Sequence, residues 1–143
     1  MPRHADCKIC TMLETTPPES LVLAGAHWGV VAMREAPGVL MAFTRDHDQG
    51  VGSISDAAAD AFGPLIKTLS TGLTTSGFEK TSVISFGDNA IHTHFMLVGR
   101  KPADAPIFDN TPLMARLDCK EGERARAVAG HLRDVLKTSG LTA

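Results

Sequence analysis

The connections between the apolar runs constrain this chain most, because they are too short for parallel crossovers. Leu21 to Ala26, Trp28 to Met33 and Val39 to Phe43 are three β-prone runs within 23 residues. A parallel return needs a dozen or more connecting residues, so these runs can pair only as an antiparallel meander. Arg34-Glu35-Ala36-Pro37-Gly38 separates the last two, and its Pro-Gly pair predicts a type II turn. From Ser55 the period changes. Ser55-Asp56 is suited to cap a helix, and Ala58, Phe62, Leu65, Ile66, Leu69 and Leu73 recur at helical spacing as far as Gly77. Two more strands fit Thr81 to Phe86 and Ile91 to Val98, joined by a tight Gly87-Asp88-Asn89 connection. A final helix fits Glu121 to Lys137, with Gly140 just past its end and His131 expected to pack against the sheet. The expected fold is α+β: an antiparallel sheet of about five strands with two main helices, in the order strands, helix, strands, helix.

With 143 residues, the chain has the length of one domain with one core, and 1–143 is read as such. Within it, 1–19 is an N-terminal segment, 20–100 carries the sheet and first helix, and 101–143 is a loop and helix. The segment Glu14 to Ser20, with two prolines, is expected to be loop. One Trp, six Phe and no Tyr leave little for base-stacking platforms. A net charge of −2 with no Lys/Arg run longer than two residues argues against an extended nucleic-acid surface. An anionic partner is therefore expected to be small. No apolar stretch approaches the roughly 20 residues that span a bilayer, and the polar start is unlike a secretory signal. The expectation is a cytoplasmic chain without membrane contact.

Chemistry concentrates in Ile91-His92-Thr93-His94-Phe95-Met96. Alternate residues of a strand share a face, so His92, His94 and Met96 project together. Neutral imidazole can ligate a metal or attack an electrophile. Cys7 and Cys10 form a C-x-x-C, which suits a metal site, a redox pair or neither. The redox reading expects a strand feeding a helix in a βαβ setting, whereas here a Pro-rich loop follows. Two thiolates and two imidazoles make a common tetrahedral zinc set. His47, at the end of the third strand, and His4, three residues before Cys7, compete for the fourth place. Cys119 reads as a buried or incidental thiol.

The order of these pieces resembles the histidine-triad family: a C-x-x-C near the start, Arg45-Asp46-His47 closing a strand, a helix, then His92-x-His94-x-Met96 with Gly99-Arg100 behind it. The resemblance implies a compact α+β homodimer that binds a nucleotide or related phosphate compound. It implies hydrolysis or transfer of a nucleoside monophosphate from a phosphoramidate or dinucleoside polyphosphate, with His94 attacking the α-phosphorus. It also implies a structural zinc on Cys7, Cys10, His47 and His92, anchoring the N-terminal segment. Asn89, Met96 and Arg100 are the substrate-contact candidates. The chain departs from the pattern in four places. Met96 replaces the third motif histidine, and the Gly-rich loop is reduced to Gly87-Asp88-Asn89-Ala90. The usual Gly-His pair reads Gly38-Val39, and Arg34-Glu35 stands where an acidic ribose contact is expected. Loss of one transition-state donor costs about 10² to 10³ in rate, so the alternative is a zinc-stabilised nucleotide-binding or interaction module with weak or no turnover. An unrelated protein with a catalytic metal-bound water is a third possibility.

Overall fold

A computed structural model of the chain describes residues 4–88, 90–104 and 111–141. Among these residues are five strands, β1 (Leu21–Ala24), β2 (Trp28–Ala32), β3 (Val39–Thr44), β4 (Lys80–Ile84) and β5 (His94–Arg100), and four helices, α1 (Met12–Thr15), α2 (Asp56–Thr75), α3 (Thr111–Leu117) and α4 (Gly122–Thr138). The strands form one sheet in the order β1-β2-β3-β5-β4, and every pair is antiparallel. The expected α+β architecture is the one observed. No described helix is long and apolar enough to cross a membrane.

Local chemistry explains the boundaries. The hairpin between β2 and β3 turns at Ala36-Pro37-Gly38-Val39: the Val39 amide donates to the Ala36 carbonyl at 3.3 Å, and Gly38 has φ +74°. Proline at the second place and a left-handed glycine at the third are what a type II turn requires. A side chain at Gly38 would also strike the Phe78 ring, at 2.5 Å. The Ser55 side chain accepts the Ala58 amide and caps α2. At its other end Gly77, at φ +103°, lets the Phe78 amide reach back to the Leu73 carbonyl at 3.1 Å, a Schellman closure that drops the chain into β4.

The register divides the sheet into two apolar faces. Val30, Ala42 and Phe95 stand side by side in the ladder, and with Leu40 and Leu97 they pack against Leu65, Leu69 and Leu73 of α2 and Val128, Leu132 and Leu136 of α4. Trp28 lies in this core, its Nε1–H donating to the Ala58 carbonyl at 2.8 Å. On the opposite face, Val31, Met41, Phe43, Met96 and Val98 are covered by Ile9 of the N-terminal segment and by Leu113 and Leu117 of α3. That second layer was not foreseen. The stretch 14–20 is also more ordered than the expected loop, ending α1 and then forming a 3₁₀ turn, Pro18–Ser20.

Two expectations need correction. Among the described residues β4 ends at Ile84 and β5 joins the ladder only at His94, so the strands stand further apart in sequence than the expected three-residue connection, whose Asn89 lies outside the described residues. The His92 side chain is instead drawn beneath the end of β3. His131 does not pack on the sheet: its ring meets the Thr75 hydroxyl at 2.7 Å, tying α4 to the last turn of α2.

Leu69 is fully buried between the helices and the sheet. Leu69→Ala is predicted to cost about 2–5 kcal/mol, through lost transfer energy and a residual cavity. Loss of the α2 cap in Ser55→Ala is predicted to cost about 1 kcal/mol. Urea unfolding midpoints check both, and equal losses would contradict this account of the core.

Candidate functional site

The antiparallel pairing of β3 with β5 sets the end of one beside the start of the other. His47, just past β3, therefore lies next to His92, just before β5, with ring centroids 5.1 Å apart and planes nearly perpendicular. The N-terminal segment brings Cys7 and Cys10 to the same point. Cys10 Sγ lies 3.3 Å from His47 Nδ1 and 3.5 Å from His92 Nδ1, and Cys7 Sγ lies 3.6 Å from His92 Nδ1. The four ligand atoms lie within 4.8 Å of one another, and Cys10, His47 and His92 are buried.

These separations test what the cluster can hold. In a tetrahedron with metal–sulfur bonds of about 2.3 Å and metal–nitrogen bonds of about 2.0–2.1 Å, each S···N edge is about 3.5 Å, which matches the distances found. A network of thiol hydrogen bonds explains them less well, because the single lone pair of His92 Nδ1 cannot accept well from both the Cys7 and the Cys10 thiol. The His4 amide also donates to Cys10 Sγ at 3.3 Å, a contact suited to a thiolate. His92 Nε2–H donates to the Thr44 carbonyl at 2.7 Å, which directs the Nδ1 lone pair toward the sulfurs. Burial drives the His92 pKa below its usual 6.5, opposed by the Thr44 hydrogen bond, so the neutral ligand form is favoured. The donor set fits a tetrahedral transition-metal ion with no open position. His4, the competing ligand, stands outside the set and stacks on His47, centroids 4.2 Å apart. Cys119 is a half-buried free thiol that is not among the clustered ligands.

His94 opens β5 on the second face, opposite Phe43. Its Nδ1 lies 2.7 Å from the His92 carbonyl. A carbonyl can only accept, so Nδ1 carries the proton and Nε2 carries a lone pair. Nε2 makes no hydrogen bond among the described residues. In this tautomer the imidazole, half-buried at a strand end, presents the Nε2 lone pair, the atom through which a neutral imidazole can act as a base, a ligand or a nucleophile.

The remaining candidates separate. Met96 lies two residues along the same face as His94, buried among Met41, Val98 and Leu113. Arg100 is at the far end of β5; six residues along a strand is about 20 Å, too far to share one phosphate with His94. Its guanidinium instead meets Ser82 Oγ at 3.1 Å and Asp104 at 3.7 Å. Lys101 reaches over the Phe78 ring. Asn89 lies outside the described residues. Sequence reasoning missed Thr93 and Asp48. The Thr93 amide donates to the Asp48 carbonyl at 2.8 Å, and the Thr93 hydroxyl donates to the same carbonyl at 3.1 Å while accepting the Gly50 amide at 2.9 Å. Thr93 falls between two conspicuous histidines, so only its own hydrogen-bonding capacity could have marked it.

No family model matches the sequence, and no curated protein does either. Solved structures do match its fold. A hypothetical histidine triad nucleotide-binding protein from Sulfolobus tokodaii superposes with a TM-score of 0.69 at 12% identity, covering 92% of this chain and 93% of its own. A Zn-bound histidine triad family protein from Mycobacterium smegmatis gives 0.66 at 12% identity, over 94% and 96%. A Hit-like protein from Bartonella henselae, solved with an unknown ligand, gives 0.67 at 13% identity, over 95% and 100%. At such identities the likeness is one of fold. The chain has the histidine-triad fold that its motif order resembles.

If the cluster holds a tetrahedral ion, removing one ligand, as in Cys10→Ser, is predicted to weaken binding of added Zn²⁺ by more than the roughly 10- to 100-fold that loss of an outer-shell partner costs; a competition titration with a chromophoric chelator measures this. The lowered His92 pKa also gives a signed prediction for the metal-free chain. Above pH 6.5 His92 is neutral in both folded and unfolded states. As pH falls below that value, the unfolded chain takes up the proton first and stability declines. Thermal unfolding from pH 7.5 to 5.5 should show the decline for wild type and a shallower one for His92→Phe.

Proposed function

We propose that this protein is a histidine-triad nucleotidyl hydrolase or transferase in which His94 becomes transiently nucleotidylated. The observation that carries the reading is the His94 tautomer: Nδ1–H is committed to the His92 carbonyl at 2.7 Å, leaving the Nε2 lone pair available for attack. In the first step Nε2 bonds to the α-phosphorus of a nucleoside phosphoramidate or dinucleoside polyphosphate. The bond from phosphorus to the leaving group breaks, and that group departs with the electron pair and takes a proton from solvent. The imidazole then carries positive charge, which the His92 carbonyl dipole stabilises through Nδ1–H. Water next attacks phosphorus, the N–P electrons return to Nε2, and a nucleoside monophosphate leaves with release of a proton. Two modest displacements replace one difficult one.

Zinc is the metal we assign to Cys7, Cys10, His47 and His92, in a structural role, since four protein ligands leave no place for an activated water. It would anchor the 1–19 segment onto the 20–100 unit. Thiols kept as ligands fit a reducing compartment such as the cytoplasm. A homodimer follows from the family resemblance, and the outer edge of β4, which no described strand covers, is available to a second copy.

A second reading is favoured by one observation. Met96, in the place of the third motif histidine, is 7% exposed and offers no strong donor to a phosphate oxygen, which supports a nucleotide-binding module with weak or no turnover.

The experiment is intact-protein mass after incubation with an adenosine phosphoramidate, together with assay of released AMP. The enzymatic reading predicts a nucleotidyl adduct or AMP in wild type, with turnover reduced about 10³-fold or more in His94→Ala. AMP binding without adduct or release in wild type would favour the binding module. Equal activity in wild type and His94→Ala would reject both His94 chemistry and this mechanism.

A further inference from the structure

Three of the four clustered ligands, Cys10, His47 and His92, are buried, and Cys7 is the half-buried one. An ion bound for the cluster therefore arrives from the side of Cys7. A cleft of about 560 Å³ opens there, lined by His4, Asp6, Cys7 and Lys8 together with His47 and His92. Outside the cluster itself, the lining side chains that own a lone pair for a metal are those of His4 and Asp6, since the Lys8 ammonium has no acceptor. His4 is exposed yet held against the cluster by three contacts. Its amide donates to Cys10 Sγ at 3.3 Å, its carbonyl accepts the Cys7 amide at 3.1 Å, and its ring stacks on His47 with centroids 4.2 Å apart. The bond from Cys7 back to His4 closes residues 4–7 into a turn, which keeps the two Cα atoms within about 7 Å. We propose that His4 is the entry ligand of the metal centre, a transient site at which an incoming Zn²⁺ exchanges water for imidazole before Cys7 and then the buried ligands take it over. The proposal rests on the assignment of zinc to the cluster.

His4 suits this part because it touches the final set without belonging to it. The ligand atoms of Cys7, Cys10, His47 and His92 all lie within 4.8 Å of one another, and those of His4 are not among them. Its bond to the ion is made on the way in and then given up. An interaction present only along the path changes the rate in both directions and leaves the equilibrium where it was. Imidazole is also a good first ligand for zinc, because in its neutral form it binds without losing a proton, whereas a thiol must give one up. Cys7 comes next: as its sulfur bonds to the ion, the thiol proton passes to solvent and a water leaves the metal. Capture by Cys10, His47 and His92 is then intramolecular, at the high effective concentration that a short tether provides. Released from the ion, the His4 ring returns to its stack on His47.

Loading kinetics test the proposal. The metal-free chain, kept reduced, is mixed in a stopped-flow instrument with Co²⁺, whose thiolate charge-transfer band reports arrival at the cysteines. Zinc affinity is measured separately, by competition with a chromophoric chelator. His4→Ala removes both ring and donor, whereas His4→Phe keeps a ring to stack on His47 and removes the donor alone. The entry role predicts loading slowed about 10-fold or more in both variants, the scale on which groups around a metal site act, with the zinc Kd changed by less than about 3-fold. His4→Cys, which restores a donor at the same place, should load faster than His4→Ala, and its failure to do so overturns the proposal. Loading as fast as wild type in either His4→Ala or His4→Phe also overturns it. Faster loading in both would make His4 a cover over the cluster, and weaker zinc binding at an unchanged loading rate would make it a supporting neighbour of His47; each rejects the entry role. Wild type that takes up neither Co²⁺ nor Zn²⁺ would remove the zinc assignment together with the entry site, whereas tight zinc with unchanged loading in the variants would remove the entry site alone.

Discussion

Two sulfurs and two imidazole nitrogens meeting at one point is the constraint on which the rest of this structure depends. Cys10 and His92 are 82 residues apart in the chain, yet their ligand atoms lie 3.5 Å apart. The segment that delivers the cysteines has little else to hold it. Among its described residues the α-helix α1 has four residues, far below the length at which a helix persists unaided. Among its residues, Ile9 is 4% exposed and covers Val31, Met41 and Phe43 on the second face of the sheet. A metal bond at Cys7 and Cys10 would close a long loop, which stabilises by restricting the unfolded chain. The cover over the second face and the ligand cluster are thus one feature.

The sheet supplies the other half of the arrangement. Its α2 and α4 face is a conventional apolar layer built from Leu40, Ala42, Leu97 and the helix leucines. The strength of that layer lets the opposite face hold polar groups at its margin, where β3 ends and β5 begins. There Thr44, Asp48, His92, Thr93 and His94 share a small set of hydrogen bonds. Each buried donor finds an acceptor, which is what makes polar groups tolerable there. His94 lies on the boundary between this network and the solvent, where a reacting group can be both fixed and reached.

Much of this could be read from residues alone, for identifiable reasons. The Pro37-Gly38 turn, the Ser55 cap and the 3.6-residue spacing of Ala58 to Leu73 are local signals, and local signals fixed β2, β3 and α2 closely. The ligand set was reachable because thiolate and imidazole chemistry narrows the partners to few, although that chemistry alone left His4 and His47 in competition and it was the family resemblance that favoured His47. The misses share a cause in tertiary contacts. Gly87-Asp88-Asn89 reads as a tight turn, but the Thr44 carbonyl holds the His92 ring away from the ladder, and β5 cannot begin until His94. The helix α3 offers only Leu113 and Leu117 on one buried face, too little periodicity to stand out. Arg100 was placed near the phosphate on charge alone, whereas strand length sets it about 20 Å away.

The measurement that tests the central claim most directly is zinc K-edge X-ray absorption on protein purified and kept under reducing conditions. The account predicts a four-coordinate first shell of two sulfurs at about 2.3 Å and two nitrogens at about 2.0–2.1 Å, with the sulfur contribution halved in Cys7→Ser. A shell dominated by oxygen, or a spectrum indifferent to Cys7, would place the metal elsewhere and remove the anchor from which the rest of the site is built.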